Sequence, residues 1–403
     1  MASEAELEEV FRLAEAASIS GIVADVGDRL ASSWLVVSRF REVQALTDRS
    51  LQVQTSPSTL LYAGRAFSAT GNRTAALTCF QQALPLSREI GDRASEAAAL
   101  NNIGGVHRRR GELPAALTHY QQALTLCREV GDRAGEATTL NNIGMVHHDR
   151  WDLPAALTHY QQALTIRREV GDRAGEATTL NNIGGVHRHR GELPAALTHY
   201  RKALTIRREV GDRAGEAITL NNIGLVHRRR GELPAALTHY QQALTIRREV
   251  GDRAGEAITL NSIGGVHRRR GELPAALTHF QQALTIRREV GDPAGEATTL
   301  NNIGSIHHNR GDLPAALTHY QQALTLCREV GDPAGEAVTR YNIAMVYRAD
   351  GNLTAAVTEL EHVVTIERAI QHPDLADDTA TLNQVQAELQ NSRAAGSSPD
   401  EVV

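Results

Sequence analysis

The sequence has little of what would give a chain a covalent frame, a stacking surface or a membrane anchor. Its three cysteines, at positions 79, 127 and 327 of 403 residues, are too few and too scattered for a disulfide framework. Aromatic residues make up 4% and tryptophan occurs twice, which leaves little for nucleic-acid bases to stack on. No run approaches the roughly 18 consecutive apolar residues of a spanning helix. The opening MASEAELEEVFRLAEAAS is acidic and amphipathic and lacks the basic start and apolar middle of a signal peptide. Lysine occurs once, as Lys202 inside Tyr-Arg-Lys-Ala, so no Gly-Lys-Ser/Thr phosphate loop can be written. These gaps lead to the expectation of a reduced, cytoplasmic protein with no membrane segment, no cofactor and no metal.

What is present is a forty-residue unit. It reads GDRAGEAITLNNIGLVHRRRGELPAALTHYQQALTIRREV from Gly211 to Val250 and recurs in register from Gly91 to Val330 as six nearly unaltered copies. Imperfect copies flank them at Leu51–Ile90 and Gly331–Ile370, giving eight units before a half-unit over 371–390. A fixed period in this range is the mark of a solenoid, in which each unit buries its apolar face on its neighbours. Such an array lets one core grow with length, so a single structural domain is expected, with residues 1–50 as a helical N-terminal cap and 391–403 as a disordered tail.

The net charge of -5 conceals a division. Residues 91–330 hold 30 Lys and Arg against 25 Asp and Glu, a net of +5, and the flanks are correspondingly acidic. Nearly all the positive charge is guanidinium, the group suited to bidentate contact with carboxylates.

Local signals place two helices in each unit. Asp212 suits an N-cap, Arg213 to Arg229 a first helix, and Gly231 the glycine that turns the chain through positive φ. Pro293 and Pro333 follow the equivalent aspartates, at the helical position where proline costs nothing. The second helix opens at Leu233-Pro234 and runs to about Glu249, with Ala236, Tyr240, Ala243, Leu244 and Ile246 on one broad face. At the N-terminus, Ser3 caps a helix from about Glu4 to Ala17 whose apolar face is Leu7, Val10, Phe11 and Leu13. Trp34, Leu35, Val36, Phe40 and Val43 then cover the end of the stack. The fold class is therefore all-α, a solenoid of tandem antiparallel helix pairs.

With Leu220, Ile223-Gly224, Gly231, Ala236, Tyr240 and Ala243 where they stand, the unit resembles a tetratricopeptide repeat. Its period of 40 in place of 34 is similar to the long repeats of kinesin light chain and of the spindle-orientation adaptors that bind G-protein α subunits. His372-Pro373-Asp374-Leu375-Ala376 is also similar to kinesin light chain repeats. The resemblance implies a right-handed superhelix whose first helices line a concave groove for a peptide. Two positions depart from it. His227 and its equivalents stand where the family keeps tyrosine or a large apolar residue, and Trp151 replaces the turn glycine. A remodelled turn is expected at Trp151. The long repeat is similar, too, to sensor arrays attached to bacterial-type signalling ATPases, which gives a regulatory sensor as the alternative function.

The copies form an internal alignment, and their differences gather on one stripe. Change falls at Ala98, Thr138, Thr178, Ile218, Ile258 and Thr298; at Gly105, Met145, Gly185, Leu225, Gly265 and Ser305; and at the pair following the first histidine. Spacings of 7, 3 and 4 put these on one face of the first helix. By the resemblance this face lines the groove, which makes it the binding candidate. Leu225 lies on it beside Asn102, Asn142, Asn182, Asn222 and Asn302, which either hydrogen-bond a guest's backbone or bridge adjacent helices. Arg108, Arg109, Arg188, Arg228, Arg229, Arg268 and Arg269 form a basic strip suited to acidic side chains of a protein or peptide partner. Arg110, Arg190, Arg230 and Arg270 hardly vary and sit where arginine offsets the helix dipole.

The remaining chemistry is weak. Most of the seventeen histidines recur once per unit as copies, and neighbours such as His147-His148 point to different faces instead of holding the i, i+4 spacing of helix ligands. Cys127 and Cys327 take the place of Arg167, Arg207, Arg247 and Arg287, a position expected at the surface. No catalytic role is expected, nucleic acid is disfavoured as a partner, and the oligomeric state is open.

Overall fold

Each first helix of a repeat starts by the same local chemistry. In the computed structural model, which describes residues 3–36 and 39–396, Asp212 accepts a hydrogen bond from the backbone N–H of Gly215 at 2.8 Å, and Asp132, Asp172 and Asp252 cap alike. Pro293 and Pro333 occupy the first turn, as their position predicts. Gly231 ends the first helix at φ +77°, and Leu233–Glu249 follows with Pro234 in its opening turn.

The chain divides into two compact units, Met1–Val210 and Gly211–Val403, each described here by itself. The first holds α1 (Glu4–Ala16), α2 (Ser20–Val36) and α3 (Phe40–Val53). Four helix pairs follow: α4 (Pro57–Ala69) with α5 (Arg73–Glu89), α6 (Arg93–Arg109) with α7 (Leu113–Val130), α8 (Arg133–Asp149) with α9 (Leu153–Glu169), and α10 (Arg173–His189) with α11 (Leu193–Glu209). The second holds α12 (Arg213–Arg229) with α13 (Leu233–Glu249), α14 (Arg253–Arg269) with α15 (Leu273–Val290), α16 (Pro293–Asn309) with α17 (Leu313–Val330), and α18 (Pro333–Ala349) with α19 (Leu353–Ile370). It closes on α20 (Leu375–Gly396). No strand occurs among the described residues. The architecture is an all-α solenoid of stacked helix pairs. Helix α20 passes the expected start of an irregular tail at Asn391, and residues 397–403, including Val403, lie outside the described residues.

Seven of the eight pairs are locked by one ring, and in the last Leu360 packs with Ala344 instead. Tyr240 is fully buried with Ala236, Leu244, Leu260 and Ile263 around it. A Cβ on Gly224 of the facing helix would come within 2.8 Å of that ring, so the close approach needs glycine there. Between pairs the apolar contact is reinforced by an ionic clasp. Buried Glu256 accepts from Arg248 Nε at 2.8 Å and Arg253 Nη1 at 2.7 Å, and Arg253 also reaches Glu289. Burial pushes the Glu256 carboxyl up, but the two arginine bonds outweigh it and hold the group below its ordinary range. Where Pro293 replaces the second arginine, the Glu296 side chain is 17% exposed against 7% for Glu256.

At the N-terminus Ser3 and Glu6 form a reciprocal capping box. Phe11 is buried with Val23, Leu30, Trp34, Val43, Leu46 and Ala66 of α4, so this cluster covers the end of the first pair. Val10 and Leu13, expected on the same face, are exposed. The buried side of α1 is narrower than its apolar set and is completed by Ala14.

The turn at Trp151 is not remodelled. Trp151 keeps φ +60°, beside +77° at Gly191, the same position of the next copy, and its indole stacks on His189 with 4.9 Å between ring centroids. A left-handed conformation costs an ordinary residue about 1–2 kcal/mol, and the stacked ring returns part of that. Trp151→Gly is therefore expected to be more stable than Trp151→Ala by about 1 kcal/mol, because alanine keeps the strain and loses the stack. Urea denaturation of the two variants checks this, and equal midpoints would refute it.

Candidate functional site

The stripe of differing residues lies along the first helices without being sealed between them. Ile218, Ile258 and Val338 are exposed, and Leu225 is half-buried. In the first unit Asn101, Asn102, Asn142, Arg108, Arg109 and Met145 meet around a cavity of about 440 Å³, with Leu35 and Phe40 of the N-terminal helices on its wall. In the second, Arg268, Asn301, Asn302, Ser305, Val338 and Asn342 line one of about 400 Å³. Leu225, Arg188, Arg228 and Arg229 line neither of these.

The asparagines bridge the stack. Asn142 Nδ2 donates to Asn101 Oδ1 at 3.1 Å, Asn182 to Asn141 at 3.1 Å, and Asn302 to Asn261 at 3.0 Å. Asn102 instead turns its Nδ2 to its own helix, onto the Ala98 carbonyl at 2.9 Å. Asn222 is half-buried at the same register of α12. These amide nitrogens tie successive first helices together, which leaves side-chain oxygens as the groups a guest would meet. The acceptors are the preceding asparagines Asn101, Asn141 and Asn261, at a position overlooked by a reading of variable positions because it never varies among the six central copies.

Several arginines of the strip also cross to a neighbouring first helix. Arg108 Nη1 pairs with Asp149 Oδ2 at 2.8 Å, Arg109 bonds the Ser68 hydroxyl, Arg268 bonds Ser305 Oγ at 2.9 Å, and Arg269 reaches the Arg228 carbonyl at 3.1 Å. Arg188 lies against His189, and Arg229 is exposed. Burial pushes Arg109 below the usual arginine range; nearby Tyr120 opposes this, and Arg108 and Arg73 reinforce it. Arg268 is lowered in the same way, by burial first, with Tyr320 opposing and Arg228 and Arg269 adding to it. In both cases burial is the main cause and neighbouring guanidinium groups add to it, while Arg108 itself keeps the Asp149 carboxylate. The invariant arginines behave differently: Arg190, Arg230 and Arg270 sit at helix C-caps and pair with Glu192, Glu232 and Glu272 at 2.9–3.0 Å.

Two sequence expectations are corrected. Cys127 and Cys327 are buried, at 3% and 2% exposure, and burial pushes both thiols up, away from nucleophilic character. Their arginine equivalents are buried as well. Arg167 and Arg247 turn inward to donate to the carbonyls of Gly175 and Gly255, and Arg287 meets Asp292 at 2.8 Å. The long stem hides the charge in the junction, so an arginine-or-cysteine column reads as surface from sequence while being interior.

The repeated histidines pair within each copy. His107 stacks on His119, and the same holds for 147/159, 187/199, 227/239, 267/279 and 307/319, with centroids 5.1–5.3 Å apart. The first ring of each pair turns Nδ1 to the acid five residues on, as His227 does to Glu232 at 2.5 Å. Among the described residues no group of three or more His, Cys, Asp or Glu is placed to hold a metal, and no helix is long and apolar enough to cross a membrane.

Stacked helix pairs of fixed period, locked by a small residue against a ring, define a helical repeat protein. The tetratricopeptide repeat model matches residues 55–129, 95–169, 135–209, 175–249, 215–289 and 295–369, and the chain belongs to that family. No curated protein matches the sequence. Solved structures share the fold at low identity. A Rap protein complexed with Competence and Sporulation Factor is 16% identical over 89% of this chain and 99% of its own, with a TM-score of 0.63. A plasmid-borne Rap conjugation gene regulator in complex with the Phr* peptide is 16% identical over 87% and 96%, with a TM-score of 0.57. A signal-transduction ATPase with a tetratricopeptide repeat sensor, from Pyrococcus horikoshii, is 14% identical over 85% of this chain and 54% of its own, with a TM-score of 0.59.

Proposed function

We propose that the chain is a protein-interaction scaffold whose first-helix face holds a peptide segment of a partner, with acidic side chains seated against the arginine clusters. The observation that carries this is the placing of Arg108 and Arg109 with Asn101, Asn102 and Asn142 on the wall of one open cavity, and of Arg268 with Asn301, Asn302 and Asn342 on the wall of another. Like charges held together in part-buried surroundings are relieved by a carboxylate from outside. The asparagine ladder adds polar atoms at regular spacing along the same face, which suits an extended backbone. Two proteins of similar fold were captured with a guest, one with Competence and Sporulation Factor and the other with the Phr* peptide.

The test is selection of displayed random dodecapeptides on the intact chain. Recovered sequences are expected to be rich in Asp and Glu, to bind more weakly as salt rises, and to lose at least about tenfold in affinity to Arg108→Glu/Arg109→Glu or Arg268→Glu/Arg269→Glu. A tenfold loss corresponds to about 1.4 kcal/mol, within reach of one charge-assisted hydrogen bond. Enrichment of peptides without acidic residues, or affinities unmoved by both double variants, would overturn the reading.

A further inference from the structure

One set of departures from the shared pattern is clustered in space. Where three copies carry Arg-Arg before the turn and every other copy has glycine in it, the third unit has His148, Asp149 and Trp151, and the fourth has His189 in the column of Arg109, Arg229 and Arg269. These departures come from two copies yet touch one another. The His148 and His189 rings lie 4.8 Å apart, Trp151 stacks on His189 at 4.9 Å, and Asp149 is bound by Arg108 at 2.8 Å. Here they replace arginines with a stacked aromatic platform whose indole remains 67% exposed, in a chain that otherwise buries its tryptophan.

The charge beside the platform differs from that of the α10–α11, α12–α13 and α14–α15 turns and matches that of the α16–α17 turn, where Asp312 likewise caps its helix and meets His307. Arg190, Arg230 and Arg270 are each paired with the glutamate two residues on. At the same place the third unit has Asp152, which is shorter and is used otherwise: it caps α9 through the Ala155 N–H and accepts from His147 Nδ1 at 3.2 Å. Arg150 is therefore exposed with no acidic partner among the described residues. The neighbouring acids are all taken, Asp149 by Arg108, Asp152 by the helix start and His147, and Glu192 by Arg190 and His187. What remains unspent is one indole face and one guanidinium, on adjacent residues.

We propose that Trp151 and Arg150 form a second contact point, at the α8–α9 turn on the edge of the first-helix face. It takes a protein segment that presents an aromatic or long apolar side chain next to a carboxylate. The partner's side chain covers the open face of the indole, and its carboxylate pairs with Arg150. Exposed tryptophan and arginine are the residues that most often anchor protein interfaces. A single-stranded nucleic acid would use the same stacking but fits less well, since its successive phosphates would meet Asp149 and Asp152 with one free cation to offset them. Glycine would remove the turn's backbone strain and forfeit the stack on His189, so the strained residue is kept together with its ring contact.

Trp151→Gly makes the test clean, since it restores the residue found in every other copy and leaves a folded chain, as its thermal melt will show. Displayed dodecapeptides are selected on the intact full chain and counter-selected on this variant. The peptides that survive are expected to carry an aromatic or long apolar residue beside Asp or Glu. Their affinity should fall at least tenfold in Trp151→Gly and in Arg150→Glu, and stay within twofold in Arg268→Glu/Arg269→Glu. Peptides lost to that arginine double variant but kept by Trp151→Gly belong to the first-helix face, so the two readings fail separately. The proposal is overturned if no recovered peptide depends on Trp151, or if a ten-nucleotide oligothymidylate binds in a Trp151-dependent way and the peptides do not.

Discussion

Tyr240→Ala is expected to destabilise the chain by about 3–5 kcal/mol, the range for deleting a large buried ring, while Tyr240→Phe should be nearly neutral. The ring is fully buried and fills the space that Gly224 leaves open, within 2.8 Å of where a Cβ would stand. Its removal opens a void between the two helices of one pair, and also loosens the contact to the next pair through Leu260 and Ile263. Stability in a linear array depends on such neighbour contacts, so a single void weakens more than one repeat. The hydroxyl is a different matter. Phe280 and Phe80 already occupy the same position of other copies, equally buried and facing Gly264 and Gly64. Urea denaturation of the two variants decides it: a phenylalanine variant as damaged as the alanine one would show that the position is held by its polar end.

The same ring shows why the fold was so legible. Six nearly unaltered copies of one unit report six times on each packing position, and Tyr240, Gly224, Asp212 and the prolines at 293 and 333 each have one physical explanation. The helix limits at Arg213–Arg229 and Leu233–Glu249 follow from them directly. The candidate site was legible to a lesser degree. Variation among copies pointed to the stripe, but it could not show that Asn142 and Asn182 donate to Asn101 and Asn141, since hydrogen bonds about 41 residues apart leave no trace in a periodic pattern. It likewise misplaced Cys127, because an arginine column looks solvent-exposed until its stem is seen folded inward. Trp151 was misjudged from the opposite side. The strain was weighed correctly, but the compensating stack on His189 belongs to the next copy and could not be read locally.

Acid is expected to weaken the whole stack well before ordinary carboxylates titrate, with the melting temperature falling as pH drops from about 7 to 5. His119, His159, His199, His279 and His319 are each held below the ordinary imidazole range, by burial first and then by the partner ring stacked on them. Their Nδ1 atoms are buried without a hydrogen-bond partner, so a proton gained there finds no acceptor. Because the folded state binds these protons less readily than the unfolded one, their contribution is complete above about 6.5 and is lost as pH falls below it. Nearby Arg128, Arg168, Arg248 and Arg288, with Lys202 beside His199, push in the same direction, while Asp152 and Asp312 oppose it weakly. The clasp carboxyls Glu96, Glu136, Glu176, Glu256 and Glu336 are also depressed in the folded chain. Their share persists to about pH 4.3 and disappears only below that, as a second step. Glu367 runs the other way. Burial, with Asp378 beside it, pushes its carboxyl up to about 7, so its contribution is present in acid and is lost as pH rises from about 4.3 toward 7. That effect is local to the packing of α20 on α19, where one pair of acids faces His372 and Asp374. Thermal melts of the full chain from pH 8 to 5 therefore report these five imidazoles together with His148, which burial lowers as well, and amide exchange in α20 reports Glu367 with the opposite sign. A melting temperature independent of pH across that span would show that the stacked histidines take up protons without cost.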